Sequence, residues 1–182
     1  MTVFDLPAGL RQVNPEVFIA EEASCFVTPQ YIEFLKLAAL RSEKKRSRIC
    51  LHKDGDDPVH EMIIVVHKNS FVPPHAHPYK KESFHLIEGE CDVLIFSKDG
   101  AIENTYPLKA MTGDTMQDSV YFYRVGPNVI HGMQIKTDWI VFHEVAAGPL
   151  KDNGNYTPEW VPEFDKAEDG IAWFADYIEG QK

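Results

Sequence analysis

Two histidines one residue apart stand behind a proline in Pro74-His75-Ala76-His77, and Glu82 follows after four residues. On an extended backbone, side chains at i and i+2 leave the same face roughly 7 Å apart, at a rise of ~3.3 Å per residue. That separation lets both imidazoles reach one ion. The intervening residues form a turn, and the carboxylate opens the next strand. Far downstream, His131 supplies a third imidazole, which closes the site if the chain folds back as an antiparallel sandwich. Imidazole and carboxylate in this mix suit a divalent transition metal (Fe, Mn, Ni or Zn) with coordination positions left over for a ligand.

The elements that hold these residues follow from the pattern on either side of them. Thr28-Pro29 reads as a helix start, with Thr28 as N-cap and Pro29 in the first helical position. Tyr31, Phe34, Leu35 and Ala38 then fall on one face. The basic run Lys44, Lys45, Arg46 and Arg48 is read as the end of that helix, where cations complement the macrodipole; an anion site is the alternative. From Ile49 the pattern changes to short β segments. Val59 to His67 reads as a strand, and Ser83 to Glu88 with Asp92 to Phe96 as a hairpin around Gly89. Lys98-Asp99-Gly100 turns into Ile102 to Tyr106; Val120 to Val125, Val129 to Ile135 and Trp139 to Val145 complete the set. Short strands with regular turn signals mean a sandwich or small barrel, and a jelly roll suits them. Beyond Gly148-Pro149 an amphipathic helix carries Ile171, Phe174, Ala175 and Ile178, widened by Trp173 and Tyr177, with Gly180 past its end. It is expected to pack on the barrel or on a sister subunit. Residues 1–27 read as an arm or edge strand.

The spacing HxH, four residues, Glu, six residues, Gly, met here by His75, His77, Glu82 and Gly89, resembles the first motif of the cupin superfamily. Its second motif, a Pro-x-Gly-x-x-His turn, corresponds to Gly126-Pro127-Asn128-Val129-Ile130-His131, with proline one place late and Asn128 in place of glycine. Asparagine tolerates the left-handed conformation better than other non-glycine residues, so the turn stands. Asn69 likewise occupies the place of the first motif's opening glycine, and Gly113-Asp114 lies too far from Pro127 for the usual spacing, which implies an insertion before Val120. At closer range the chain resembles the WbuC-family cupin-fold metalloproteins. Arg46-Ser47-Arg48, His52, Asp56-Asp57-Pro58-Val59, the histidine pair with Pro78, Glu82-Ser83-Phe84-His85, Ile87-Glu88-Gly89-Glu90, Tyr123-Arg124, Pro127-Asn128 and Phe142-His143-Glu144 carry the likeness. It runs from the first helix to about Pro149. The resemblance implies an all-β cupin jelly roll, a metal held by His75, His77, Glu82 and His131, and a bacterial surface-polysaccharide setting. It names no substrate.

The organisation expected is one domain: an arm and helix over 1–48, the barrel over 49–149, and an extension with a short C-terminal helix over 150–182. Counted from Glu82, Phe84 and Leu86 share its face and should line the pocket, whereas Ser83 and His85 point away. Four further residues are catalytic candidates. Tyr121 and Tyr123 share one face of the strand leading to His131, as an acid or to orient a hydroxyl; Arg124, on the other, would hold an anion by bidentate contacts. For each, packing in the core is the competing reading. His143 is a candidate base or partner to a ligand, against the reading of a core histidine; His52 and His60 are set lower.

A net charge of −10 over 182 residues and a pI near 5.2 argue against nucleic acid or an anionic membrane as partner, since both call for a basic footprint. Cys25, Cys50 and Cys91 have no short spacing and read as free thiols of a reducing compartment. Met1 to Pro7 lacks a basic and an apolar region, and Met62-Ile63-Ile64-Val65-Val66 is too short to span a bilayer. A cytoplasmic protein, expected to form a homodimer, follows. There is no nucleophile elbow, Walker A loop or Rossmann fingerprint. The function expected is a metal-dependent enzyme acting on a small polar substrate, a sugar or acid, by isomerase, lyase or dioxygenase chemistry; the alternatives are a non-catalytic cupin that binds a small molecule or carbohydrate and a metal-free sugar epimerase.

Overall fold

The computed structural model describes residues 5–111, 119–149 and 154–181. In chain order the elements are β1 (Leu10–Asn14), β2 (Val17–Ala20), α1 (Pro29–Arg41), β3 (Arg46–Cys50), β4 (Val59–His67), β5 (Glu82–Glu88), β6 (Glu90–Phe96), β7 (Ile102–Lys109), β8 (Phe122–Val125), β9 (Ile130–Ile135), β10 (Trp139–Ala147) and α2 (Ala167–Glu179). They build a seven-stranded sheet in the order β1-β2-β3-β4-β10-β5-β8 and a three-stranded sheet in the order β7-β6-β9. His75 forms a further bridge to His131, and Ala76 one to Tyr156, so two short extended segments continue the smaller sheet beyond β9. Successive strands from β5 onward alternate between the two sheets, apart from the β6–β7 hairpin, and pair antiparallel within each. That order is a jelly roll, the double-stranded β-helix.

β5 and β6 are not the hairpin that their spacing predicts. They lie in different sheets, β5 beside β10 and β8, β6 beside β7 and β9. Gly89 makes the crossing possible: its φ is +89°, and a Cβ there would run into the Trp139 carbonyl oxygen and Thr137 Oγ1. The hairpin is instead β6–β7, closed through Lys98-Asp99-Gly100 with Gly100 at φ +91°. Asn128 takes the expected left-handed conformation, φ 63°.

Alternation assigns each face. On β10, Ile140 and Phe142 join Ile64, Val66, Phe84 and Leu86 in the core between the sheets. Val141 instead packs with Ile49, Ile63, Val65, Phe18 and Leu35 beneath α1. Helix α1 starts at Pro29 as expected; Thr28 holds the N-cap position with an extended backbone, but its side chain makes no capping bond. A third cluster joins Ala76, Leu94, Phe96 and Ile130 to Phe174 and Ile178 of α2, which packs on this chain's barrel. The buried stripe of α2 runs through Gly170, Phe174 and Ile178; Ala175 is exposed, and Gly170 sits where a Cβ would run into the Phe71 ring. The basic run is also displaced from its expected place. Helix α1 ends at Arg41, and Arg46 and Arg48 belong to β3, an interior strand of the large sheet. The three cysteines are unpaired, Cys50 and Cys91 buried. No helix among the described residues is long and apolar enough to cross a membrane. Met1 to Phe4 and the Gly113-Asp114 pair lie outside the described residues.

Candidate metal centre

Pro74 keeps its neighbours extended, and the bridge between His75 and His131 is a closed backbone pair, each N–H donating to the other's carbonyl at 2.9 Å. His75 and His77 therefore hang on the same face as His131, from which β9 begins its inward alternation. One ring nitrogen from each of the three lies within 4.8 Å of the others. Glu82, at the head of β5, reaches in from the opposite sheet: its Oε2 is 2.7 Å from His77 Nε2 and its Oε1 3.7 Å from His131 Nε2. All four of the residues expected to bind metal face one another, and His77, Glu82 and His131 are buried.

Each imidazole is held by its other nitrogen. Nδ1 of His75 sits 2.9 Å from the Pro73 carbonyl, and Nδ1 of His131 3.0 Å from that of Val129. Nδ1 of His77 sits 2.9 Å from Oδ1 of Asn155. Because a carbonyl only accepts, Nδ1 must carry the proton, which leaves Nε2 as the atom a neutral ring offers to an ion. These are the outer-shell bonds that fix tautomer and orientation in metal sites. Asn155 is supplied by the segment after β10, which pairs through Tyr156 with Ala76 in both directions at 2.8 Å. The residues fit a divalent ion by a second test. His77 Nε2 is buried with no hydrogen bond, since its approach to Glu82 lacks the alignment of one.

Electrostatics agree with that donor set. Burial, reinforced by His131, pushes His75 down to about 4, so its ring is neutral at physiological pH. Burial alone would lift Glu82, but the His131 and His77 rings beside it outweigh that and hold its carboxyl well below the usual range.

The cluster lines a cavity of about 530 Å³ between the sheets. Among its other walls are Arg46, Arg48, His52, His60, Lys80, Glu144, Asn155 and Thr157. Glu144 is the inward residue that follows Ile140 and Phe142 on β10. Burial, then the charge of Glu82, pushes it up to about 8, with Lys80 and Arg48 pulling the other way. Burial and the Glu82 charge thus favour its protonated form. Sequence reasoning missed it by choosing its neighbour His143, although the Ile140–Phe142 alternation pointed inward to position 144. Asn155 had no such signal: it lies in a loop, 78 residues from the histidine it holds.

The other candidates disperse. His143 faces outward, its Nε2 2.8 Å from Oε1 of Glu61. Tyr121 precedes β8 and sets its ring against His85, centroids 5.8 Å apart, so it does not share the face of Tyr123. Arg124 is exposed, opposite Ser83, and is not on the cavity wall. Tyr123 does face inward, stacked at 4.9 Å on Phe84, which stands between it and Glu144 in the cross-strand row. Burial, and then the nearby Glu82 and Glu144, hold its phenol well above the ordinary value. Phe84 and Leu86 are on the inner face, as counted from Glu82, and belong to the core. His52 and His60, set low on sequence, stack at 4.2 Å on the cavity wall.

A double-stranded β-helix whose interior presents three imidazoles and a carboxyl group is a cupin fold with a metal-competent cluster. A family model described as "Domain of unknown function (DUF6016)" matches residues 27–108, from the head of α1 into β7. No curated protein matches in sequence. Among solved structures, the chain is similar to an uncharacterized conserved protein with a double-stranded beta-helix domain from Klebsiella pneumoniae subsp. pneumoniae MGH 78578. That pair has 17% identity and TM-score 0.43, over 59% of this chain and 80% of that one. It is also similar to the DMSP lyase DddQ from Ruegeria pomeroyi DSS-3, at 17% identity and TM-score 0.46, over 63% of this chain and 53% of that one. KdgF from Halomonas sp. gives 11% identity and TM-score 0.44, over 59% and 82%. Likeness at this level says nothing of chemistry; the fold assignment stands on the strand order.

Proposed function

We propose that this chain is a metal-dependent enzyme that moves a proton on a small polar substrate, an isomerase or lyase. The observation that supports it is one cavity in which three Nδ1-anchored imidazoles and Glu82 converge, with Glu144, whose pKa burial raises, on the same wall. His75, His77, Glu82 and His131 would hold the ion. When bound, a divalent metal supplies Lewis-acid polarisation of a substrate oxygen. The remaining work belongs to the chain. Glu144 gives a proton to the substrate and, once ionised, takes one back, its raised pKa placing both forms within reach near neutral pH. Asn155 keeps His77 turned. The likeness to WbuC-family cupins, carried by the motifs on β3 to β10, supports a sugar substrate from bacterial surface-polysaccharide metabolism.

Metal analysis of protein purified without chelator, followed by oxygen uptake with candidate sugars and sugar acids, tests this reading. Zinc or manganese with solvent-deuterium exchange into substrate and no oxygen use is the expected result. Iron with oxygen consumption would replace it with dioxygenase chemistry. A metal-free protein that still turns over would replace it with an epimerase.

A further inference from the structure

The chain is strongly acidic, yet its cavity gathers three cations, Arg46, Arg48 and Lys80. Arg46 and Arg48 are two residues apart on β3, so both project to the inner face, while Ser47 and Ile49 turn to α1. Strand β3 is bonded on both sides, to β2 and β4, so this pair is not the fringe of a sheet edge. Among the described residues neither guanidinium forms an ion pair. Arg48 contacts the Cys50 thiol, and Glu16 acts on Arg46 only through its field, while Arg48 repels it. Arg46 is partly buried and Arg48 is exposed. A guanidinium cannot shed its proton to escape burial, and a buried charge without a counter-charge is costly. That cost falls on Arg46, and the like charge of Arg48 on the same face adds to it. The five N–H donors of each guanidinium match the oxygens of a carboxylate or a phosphate. The same wall offers Asn155 and Thr157 to neutral hydroxyls.

We infer that Arg46 and Arg48 receive the acidic group, carboxylate or phosphate, of a small polyhydroxylated substrate whose far end lies at the histidine cluster. Only the placing of that far end rests on the metal-dependent reading. The arginine pair takes the anion-holding role that the sequence suggested for Arg124. The cavity volume suits one monosaccharide-sized molecule.

The test is a titration of ¹⁵N-labelled, zinc-loaded full-length protein at constant ionic strength, following the arginine Nε–Hε resonances. The probes are sodium glucuronate, inorganic phosphate and uncharged glucose. Saturable movement of the Arg46 and Arg48 signals with glucuronate or with phosphate, and none with glucose, is the expected result; which of the two acts tells carboxylate from phosphate. Arg48→Gln should weaken that binding at least tenfold with an unchanged zinc content. Arg46→Lys keeps the charge in the partly buried position should Arg46→Gln fail to fold, and it should weaken binding by less than Arg48→Gln does. No response to either anion, an equal response to glucose, or unaltered binding in Arg48→Gln overturns the inference. A His77→Ala protein that has lost zinc but still titrates with glucuronate supports the anion site independently; wild type that takes up no zinc sinks the metal reading instead.

Discussion

At the scale of single residues the site depends on how side chains are held as much as on which they are. Asn155 holds Nδ1 of His77, so Asn155→Ala should leave the fold intact and weaken metal affinity about 10- to 100-fold, measured by competition with a chelating dye. Glu144 makes a separate prediction through linkage. Its folded pKa, about 8, lies above its ordinary value of 4.5. Below pH 4.5 both folded and unfolded chains carry the proton and nothing is lost. Between 4.5 and 8 the unfolded chain releases it first, so stability contributed by this position falls as pH rises, then levels. Melting temperatures of chelated protein from pH 5 to 8 should decline more steeply in wild type than in Glu144→Gln. The same substitution should lower turnover by about 10² or more. Parallel melting curves would show that Glu144 is not held protonated.

At the scale of elements, the sandwich is fastened where the chain changes sheets and where α2 covers the barrel. Gly89→Ala places a Cβ against Trp139 at positive φ, and should cost on the order of 2–4 kcal/mol in denaturant unfolding. Phe174 is buried between α2 and Phe96; Phe174→Ala should cost about 3–5 kcal/mol. Most strands were legible, β4 to the residue, because alternation and turn residues mark them locally. The β5–β6 hairpin was misread because a glycine turn looks the same whether the chain folds back in one sheet or crosses to the other; only pairing with β10 and β9 decides. Arg46 and Arg48 were misread for a related reason. Cations near a helix end are favoured by the dipole, and the alternation that places them inside becomes visible only once β3 is known to start at Arg46.

At the scale of the whole molecule, the four residues proposed to bind metal were legible because fixed motif spacing records a shared ligand, even across the two sheets. What the sequence did not disclose is distance-dependent: Asn155 arriving from beyond β10, and Glu144 and the arginine pair converging on one cavity. Three apolar clusters hold the fold without help from the histidines. Removing the metal should therefore leave the far-UV spectrum of a β protein while lowering the melting temperature, since an ion bound only by the folded state stabilises it. The most direct test of the whole account is metal stoichiometry in protein purified without chelator, compared between wild type and a His77→Ala variant shown by circular dichroism to be folded. The account predicts about one divalent transition-metal ion per wild-type chain and none in the variant. A wild type without metal, or a variant that keeps its full share, would contradict it.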